Sequence, residues 1–423
     1  MTTPIIGFAG MTHLGLNSAV AAADRGFDLV CYDPDPLLLA ALDRGELPVT
    51  EPDLPELLQR NAHRIKFAAD ANALATCDLV YVAPDVPTDD TGRSDLQRID
   101  ALIRQVDAVL RYETVMVILS QVPPGFTRER MRPGRLLHYQ VETLIFGRAM
   151  ERARFPERFI VGCADPEQPL PAVLAQFLGS FDCPILPMRY ESAELAKISI
   201  NLCLVASVSV ANTLAEICER VGANWSEIVP ALRLDKRIGP HAYLKPGLGI
   251  AGGNLERDLA TLLHLAEKHM TDSGTVSAYI ANSRHRKDWA WTKLNELVLP
   301  FNPAPRIGVL GLTYKENTNS LKNSPSIELI KKLVGHEIAA FDPVATIVDT
   351  GLTVKRALSA LDAADNADVL LVLTPWSEFS LITANELAER MSGRTVIDPY
   401  GVIDGKSLIA KGFRYLRLGE QEH

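Results

Sequence analysis

What the chain has little of narrows its class before any motif is read. Its six cysteines, Cys31, Cys77, Cys163, Cys183, Cys203 and Cys218, are scattered with no CxxC pair. A reduced, cytoplasmic compartment is therefore expected, and no metal site. Lys plus Arg number 43 against 52 Asp plus Glu, a formal net charge of −9 with no basic run. That excludes a nucleic-acid or membrane-surface patch, so any anionic ligand must be met by local groups. The N-terminus M-T-T-P-I-I-G lacks the charged and apolar regions of a leader. The one long apolar run, Ile198 to Ala215, is broken by Asn201, Ser207, Ser209 and Asn212 and ends at Glu216. A buried helix is expected there, not a membrane span. The remaining composition, 47% hydrophobic and 22% charged over 423 residues, is that of a globular protein of two or three domains.

Pro4 to Ala9 is a short apolar run that ends in Gly10-Met11-Thr12-His13-Leu14-Gly15. A helix is expected from Leu16 to Gly26, then a strand from Phe27 to Tyr32 that ends at Asp33. Strand, glycine turn, helix, strand and terminal acid make up the dinucleotide-binding unit. Its glycines admit a pyrophosphate to the helix N-terminus, and its acid accepts from the adenosine ribose. Asp33 stands eighteen residues beyond Gly15, and its charge favours NAD over a 2′-phosphorylated cofactor. Thr12 occupies the place of the middle glycine, where a Cβ would crowd the pyrophosphate. Buried strands are expected at Leu79–Ala83 and Thr114–Leu119, with a helix from Asp100 to Leu110 between them. The loops Pro84–Leu96 and Ser120–Arg128 follow those strands and should border the nicotinamide, which brings Pro84, Ser120 and Gln121 into the candidate cofactor site.

Tyr190 to Arg220 carries Leu195, Ile198, Leu202, Val205 and Val208 at helical spacing, a long apolar helix suited to joining domains and packing against a second copy. Lys197 and Asn201 lie one turn apart on it. From Arg237 to Asp258, Gly239, Gly247, Gly249, Gly252 and Gly253 with Pro240 and Pro246 exclude regular structure, so a shaped loop is expected. Arg237, Lys245, Arg257 and Asp258 give it charge for an anionic small molecule. Beyond the proline-rich Pro300–Pro305, a second α/β series begins: a strand from Arg306 to Gly311, a helix from Ser326 to Val334, a strand ending at Phe341–Pro343, and a strand from Val369 to Thr374. It has Gly308 and Gly311 but lacks the acid-terminated second strand of the full dinucleotide pattern. A nucleotide diphosphate is expected there instead of a second dinucleotide. The fold class expected is α/β, two doubly wound Rossmann-like domains joined by a long central helix, with boundaries at 1–188, 189–300 and 301–423.

As a set, G-M-T-H-L-G-L, V-P-P-G, E-S-A-E-L-A-K-I-S-I-N (Glu191–Asn201), D-K-R-I-G-P-H-A-Y-L-K-P-G (Asp235–Gly247), G-L-T-Y-K-E-N-T-N-S-L-K-N-S-P (Gly311–Pro325) and L-T-P-W-S-E-F (Leu373–Phe379) resemble the UDP-glucose/GDP-mannose dehydrogenase family over nearly the whole chain. The resemblance implies oxidation of a nucleotide sugar, a UDP-hexose first of all, with NAD, by a homodimer in which Arg237 crosses to the partner's site. It implies a cofactor site of Gly10, Thr12, His13, Leu14, Gly15 and Asp33 with Pro84, Ser120 and Gln121. Substrate contacts are implied for Thr143, Leu144, Arg237, Tyr243, Lys245, Gly249, Gly252, Lys315 and Lys322.

The departures fall at the chemistry. Asn254 stands where the family carries its nucleophilic cysteine, and an amide is no substitute for a thiolate. In Gln140–Gly147 Glu142 is kept, but Phe146 replaces a second glutamate. Ser120-Gln121 stands for serine-threonine, Lys322 for arginine, and Tyr400 for another arginine. Glu142, Lys197, Asn201 and Asp258 remain, a set that can polarise an alcohol oxygen and take its proton. Three readings stay open: a single oxidation at C6 or one completed through a hydrated aldehyde, a non-catalytic nucleotide-sugar-binding homologue, and oxidation of a ring secondary alcohol to a ketone.

Overall fold

The computed structural model describes residues 3–89, 93–346 and 354–422. It divides the chain into two compact units, Met1–Ile200 and Asn201–His423. The first is built on β1 (Ile5–Ala9), β2 (Asp28–Tyr32), β3 (Ile65–Ala68), β4 (Leu79–Val82), β5 (Val115–Ile118), β6 (Leu137–Gln140), β7 (Phe159–Cys163) and β8 (Ile185–Arg189). They form one sheet in the order β3-β2-β1-β4-β5-β6-β7-β8. Every pairing is parallel except β6 with β7. A parallel sheet has to be covered on both faces, and the alternation along the strands does this. Phe8, Tyr81, Val117 and Leu119 enter a core with the helices His13–Asp24, Ala149–Arg154 and Ala172–Gly179. Ala9, Val80, Val82, Met116 and Ile118 enter the opposite core with the helix Gln97–Val109 and with Tyr190 and Ala193 of the long helix. Each fully buried Val, Leu, Ile or Phe in these layers contributes about 1.5–3 kcal/mol of transfer free energy.

The second unit repeats the plan. Its strands β9 (Arg306–Leu310), β10 (Glu337–Phe341), β11 (Lys355–Arg356), β12 (Val369–Val372), β13 (Thr395–Ile397) and β14 (Arg414–Leu416) run in the order β11-β10-β9-β12-β13-β14, all parallel. That is the order of β3-β2-β1-β4-β5-β6, so both sheets are doubly wound around a central first strand, as expected. One expectation about this unit is overturned. Its second strand does end in an acid, Asp342, directly after Phe341.

The long helix spans Tyr190–Val221, which matches the periodicity of its apolar residues. It is less enclosed than expected: by length and composition it could cross a bilayer, and only 39% of its most apolar window is buried. Val210, Leu214, Ile217 and Val221 recur along one face and are each at least 39% exposed. The first helix begins at His13, three residues before the expected start, because Thr12 in extended conformation already closes the glycine turn. Gly26, at φ +93°, ends it as expected.

Candidate functional site

The glycine turn after β1 is a cradle by steric necessity. Gly10 has φ +94°, and a Cβ on it would meet the Pro84 nitrogen at 2.8 Å; a Cβ on Gly15 would lie 1.8 Å from the Gly10 carbonyl oxygen. Only glycine fits either position, and the close strand-to-helix approach that results is what a dinucleotide pyrophosphate needs. At the end of β2, Asp33 accepts from Met11 N at 2.7 Å with one oxygen and from Asp35 N at 2.9 Å with the other. It is buried, at 6% exposure, and each oxygen keeps lone-pair capacity for a ribose hydroxyl. Turn, helix N-terminus and acid fit NAD. Leu14 and Ser120 are buried beside the turn, and the Ser120 hydroxyl donates to the Pro84 carbonyl at 2.5 Å. Residues 90–92 of the Pro84–Leu96 loop lie outside the described residues.

Thr12 does more than crowd the turn. Its hydroxyl oxygen accepts from Asp85 N at 2.7 Å, so the middle position ties the first helix to the loop after β4. The Asp85 carboxyl lies within electrostatic reach of Thr12 and His13 at the start of the first helix. That helix start is where a pyrophosphate would sit, so the carboxyl is a like charge beside it. Asp85 lies at a solvent-reached rim. Removal from water by the surrounding protein pushes its carboxyl up, Glu142 adds to this, and His13 and Thr12 oppose it. Asp85→Asn is expected to strengthen NAD binding by about tenfold, the effect of removing one close like charge. In the parent, affinity should fall as pH rises through the raised range of Asp85, because the deprotonated form competes with the phosphates; the variant should lose this fall. Calorimetric titration across pH checks both, and equal affinities at every pH would remove Asp85 from the cofactor seat.

His13 is held by Glu51, at 2.8 Å from Nε2 to Oε1, and Glu51 also accepts from Gly147 N at 2.8 Å and Ala149 N at 3.1 Å. Burial pushes the Glu51 carboxyl up, but these three donors outweigh it and leave it below the usual range. Phe146, in the place of the missing glutamate, stacks on the His13 ring with centroids 4.0 Å apart. The loop after β6 is thereby fixed to the cofactor turn. It carries Glu142, whose Oε2 is 3.2 Å from Lys197 Nζ, with side-chain exposures of only 16% and 12%. The other Glu142 oxygen accepts from Leu144 N. Nearby, Glu194 is fully buried and accepts from Gly125 N at 2.6 Å and Thr127 N at 2.8 Å; burial raises its carboxyl, partly offset by those donors. Neither Glu51 nor Glu194 was marked in the sequence. A carboxylate one turn before Lys197 in an apolar helix was the available sign for Glu194; Glu51 sits in an undistinguished loop.

In the second unit the glycine loop is held from several sides. Gly247 N donates to Asn212 Oδ1 at 2.8 Å, Ile250 N to Ser283 Oγ at 2.8 Å, and Gly252 N to the Lys322 carbonyl at 3.2 Å. A Cβ on Gly252 would strike the Tyr314 ring at 2.3 Å. The loop ends earlier than expected. Gly253, at φ +95°, caps a helix from Asn254 to His269, so Asn254 to Asp258 are its first turn and not loop. Asn254 is exposed at that N-terminus. Asp258 is buried, takes a hydrogen bond from Asn201 Nδ2, and lies 3.3 Å from Arg257 Nε. Lys322 packs beside Gly253, and Lys245 lies over the Tyr400 ring at 5.7 Å. Tyr243 is exposed and Lys315 half-buried. Arg237 is not gathered in. Its side chain is 89% exposed and forked on Asp235 at 3.0 and 2.7 Å.

Asp342 copies the position of Asp33 but not its capacity. One of its oxygens accepts from Leu312 N, Thr313 N, the Thr313 hydroxyl and Trp376 Nε1, the other from Val344 N and Ala345 N. Both oxygens are saturated, which leaves nothing for a ribose. The acid here pins its own turn.

Comparison with known proteins agrees with this division. Three sequence models of one family match: the NAD binding domain at residues 5–176, the central domain at 191–284 and the UDP binding domain at 308–405. UDP-glucose 6-dehydrogenase from Rhizobium meliloti is 29% identical, over 98% of this chain and 99% of its own. The enzyme of the same name from Pseudomonas aeruginosa is 29% identical over 97% and 96%. Among solved structures, a UDP-glucose dehydrogenase from Pyrobaculum islandicum superposes with a TM-score of 0.84 at 25% identity, covering 95% of this chain and 96% of that one. With matched cradle, central segment and second unit, this chain belongs to the UDP-glucose/GDP-mannose dehydrogenase family, NAD-dependent oxidoreductases of nucleotide sugars.

Proposed function

We propose that the chain oxidises the C6 alcohol of a UDP-hexose once, releasing a carbonyl product, with NAD as electron acceptor. The observation that carries this reading is the secluded Lys197–Glu142 pair at 3.2 Å. An alcohol becomes an aldehyde by losing a hydride from carbon and a proton from oxygen. Bound NAD would supply the hydride acceptor; the rest falls to side chains. The Lys197 ammonium donates to the alcohol oxygen and stabilises its developing negative charge, and the Glu142 carboxylate keeps the lysine oriented and takes the proton. In the second unit, Asn201 donates to Asp258, a polar pair suited to a sugar hydroxyl or its water. Lys245, Lys315 and Lys322 supply the cations for a diphosphate in the second unit, with the shaped backbone at Gly249 and Gly252 beneath the sugar.

The exposed stripe Val210, Leu214, Ile217 and Val221 supports a homodimer packed along the long helix. An arginine as exposed as Arg237 is then available to a partner's substrate. A panel of UDP-, GDP- and dTDP-hexoses, followed by NADH absorbance, tests the assignment. Turnover with a UDP-hexose is expected. Turnover only with GDP sugars would overturn the base assignment, and NADH from none of them, with NAD and nucleotide both bound, would favour the non-catalytic reading that Asn254 suggests.

A further inference from the structure

Glu51 is a buried carboxylate that takes no part in the proton or hydride transfer. Its side chain has no exposed surface. It belongs neither to the glycine turn nor to the loop that carries Glu142, yet it touches both. Oε1 lies 2.8 Å from His13 Nε2 and also accepts from Gly147 N at 2.8 Å, while Oε2 accepts from Ala149 N at 3.1 Å. Burial pushes the carboxyl up, but these donors outweigh it and hold the group below the usual carboxylate range. An ionised carboxylate can only accept, so the imidazole nitrogen that faces it carries the proton. Donors from two segments far apart in sequence converge on one anion from which water is excluded. Such charge-assisted hydrogen bonds are about twice as strong as neutral ones.

The two segments serve different halves of the site. His13 opens the helix whose N-terminus meets the pyrophosphate of NAD. Gly147 and Ala149 end the stretch that follows β6 and carries Glu142, and Phe146 of the same stretch stacks on the His13 ring with centroids 4.0 Å apart. Cofactor bound at the turn restricts His13, and a restricted His13 restricts the stretch, because the carboxylate between them grips both. We propose that Glu51 is a positioning residue that couples the cofactor turn to the loop bearing Glu142, so that NAD binding orders the loop from which the base acts. The inference rests on Glu142 as the proposed base, but the coupling itself is measured without turnover.

Amide hydrogen exchange of the full chain, followed by mass spectrometry on peptides covering residues 141–150, checks this. In the parent, saturating NAD should slow exchange of these peptides at least about fivefold, the lower end of ordinary coupling between sites. Glu51→Gln keeps the size of the side chain but has one acceptor oxygen, so its NH2 must face either Ala149 N or the pair His13 and Gly147 N. The slowing by NAD should then vanish, and by reciprocity NAD affinity should fall by about the same factor. His13→Phe keeps a ring against Phe146 and leaves Gly147 and Ala149 on Glu51. It should fold and bind NAD, yet lose most of the slowing. A Glu51 that served the fold alone would give another pattern, with exchange in Glu51→Gln faster both with and without NAD and the ratio between the two unchanged. That pattern, no slowing by NAD in the parent, or full slowing in His13→Phe would each overturn the proposal.

Discussion

Lys197→Met is expected to lower kcat on the nucleotide sugar by roughly two to four orders of magnitude, the range for removing a positioned acid–base group, while substrate affinity stays within a few fold. The separation follows from what the ammonium does. In the ground state the alcohol oxygen is neutral and gains little from a nearby cation. Negative charge appears as the hydride departs, so the stabilisation is realised almost wholly in the transition state. The site is also nearly dry, with Lys197 and Glu142 at 12% and 16% side-chain exposure, and at low dielectric such a charge acts strongly. Loss of the lysine leaves Glu142 without its cation. Removing one member of a buried pair typically costs about 3–5 kcal/mol of stability, so the melting temperature must be measured alongside the kinetics. Glu142→Gln in the same background restores a neutral pair and should recover stability but not kcat. If the folded fraction of Lys197→Met turns over within a few fold of the parent, Lys197 serves the fold and not the chemistry.

Much of this was legible in the sequence because steric rules act locally. Gly10 and Gly15 announced a strand-to-helix turn, and the structure gives the reason: a Cβ at either would collide with backbone atoms. The long helix followed from its periodicity. What escaped was set by partners far away in the chain. Thr12 reads alone as an obstruction, but its hydroxyl engages Asp85. Glu51 belongs to the cofactor turn only because the fold brings it to His13 and to the backbone at Gly147 and Ala149. Asp342 ends its strand as Asp33 does, and only a count of its donors separates the two. Arg237 lies in a family-like stretch, yet in a single chain it turns to Asp235.

On the proposed single oxidation, with Asn254 in the place of a thiol, the parent enzyme is expected to form about one NADH per sugar in the early phase, from the electron count of a single hydride transfer. An aldehyde must first gain a nucleophile at carbon before it can lose a second hydride. A thiolate would do this by forming a C–S bond, and loss of hydride would then give a thioester that water cleaves to the acid. An amide cannot make that adduct. Water can add to give the gem-diol, but without a covalent tether that route should be slow beside the first step. The structure offers a direct reversal. Asn254 is exposed at the first position of the helix Asn254–His269, where peptide dipoles favour an anion and lower the pKa of a thiol. Asn254→Cys is therefore expected to raise the yield to about two NADH per sugar, with carboxylate as product, while the parent accumulates a carbonyl trapped by hydroxylamine. If the parent already gives two NADH per sugar in one phase and no trappable carbonyl, some other group replaces the thiol. If the parent gives one and the variant also gives one, position 254 does not face the reacting carbon, and the single oxidation has a different cause.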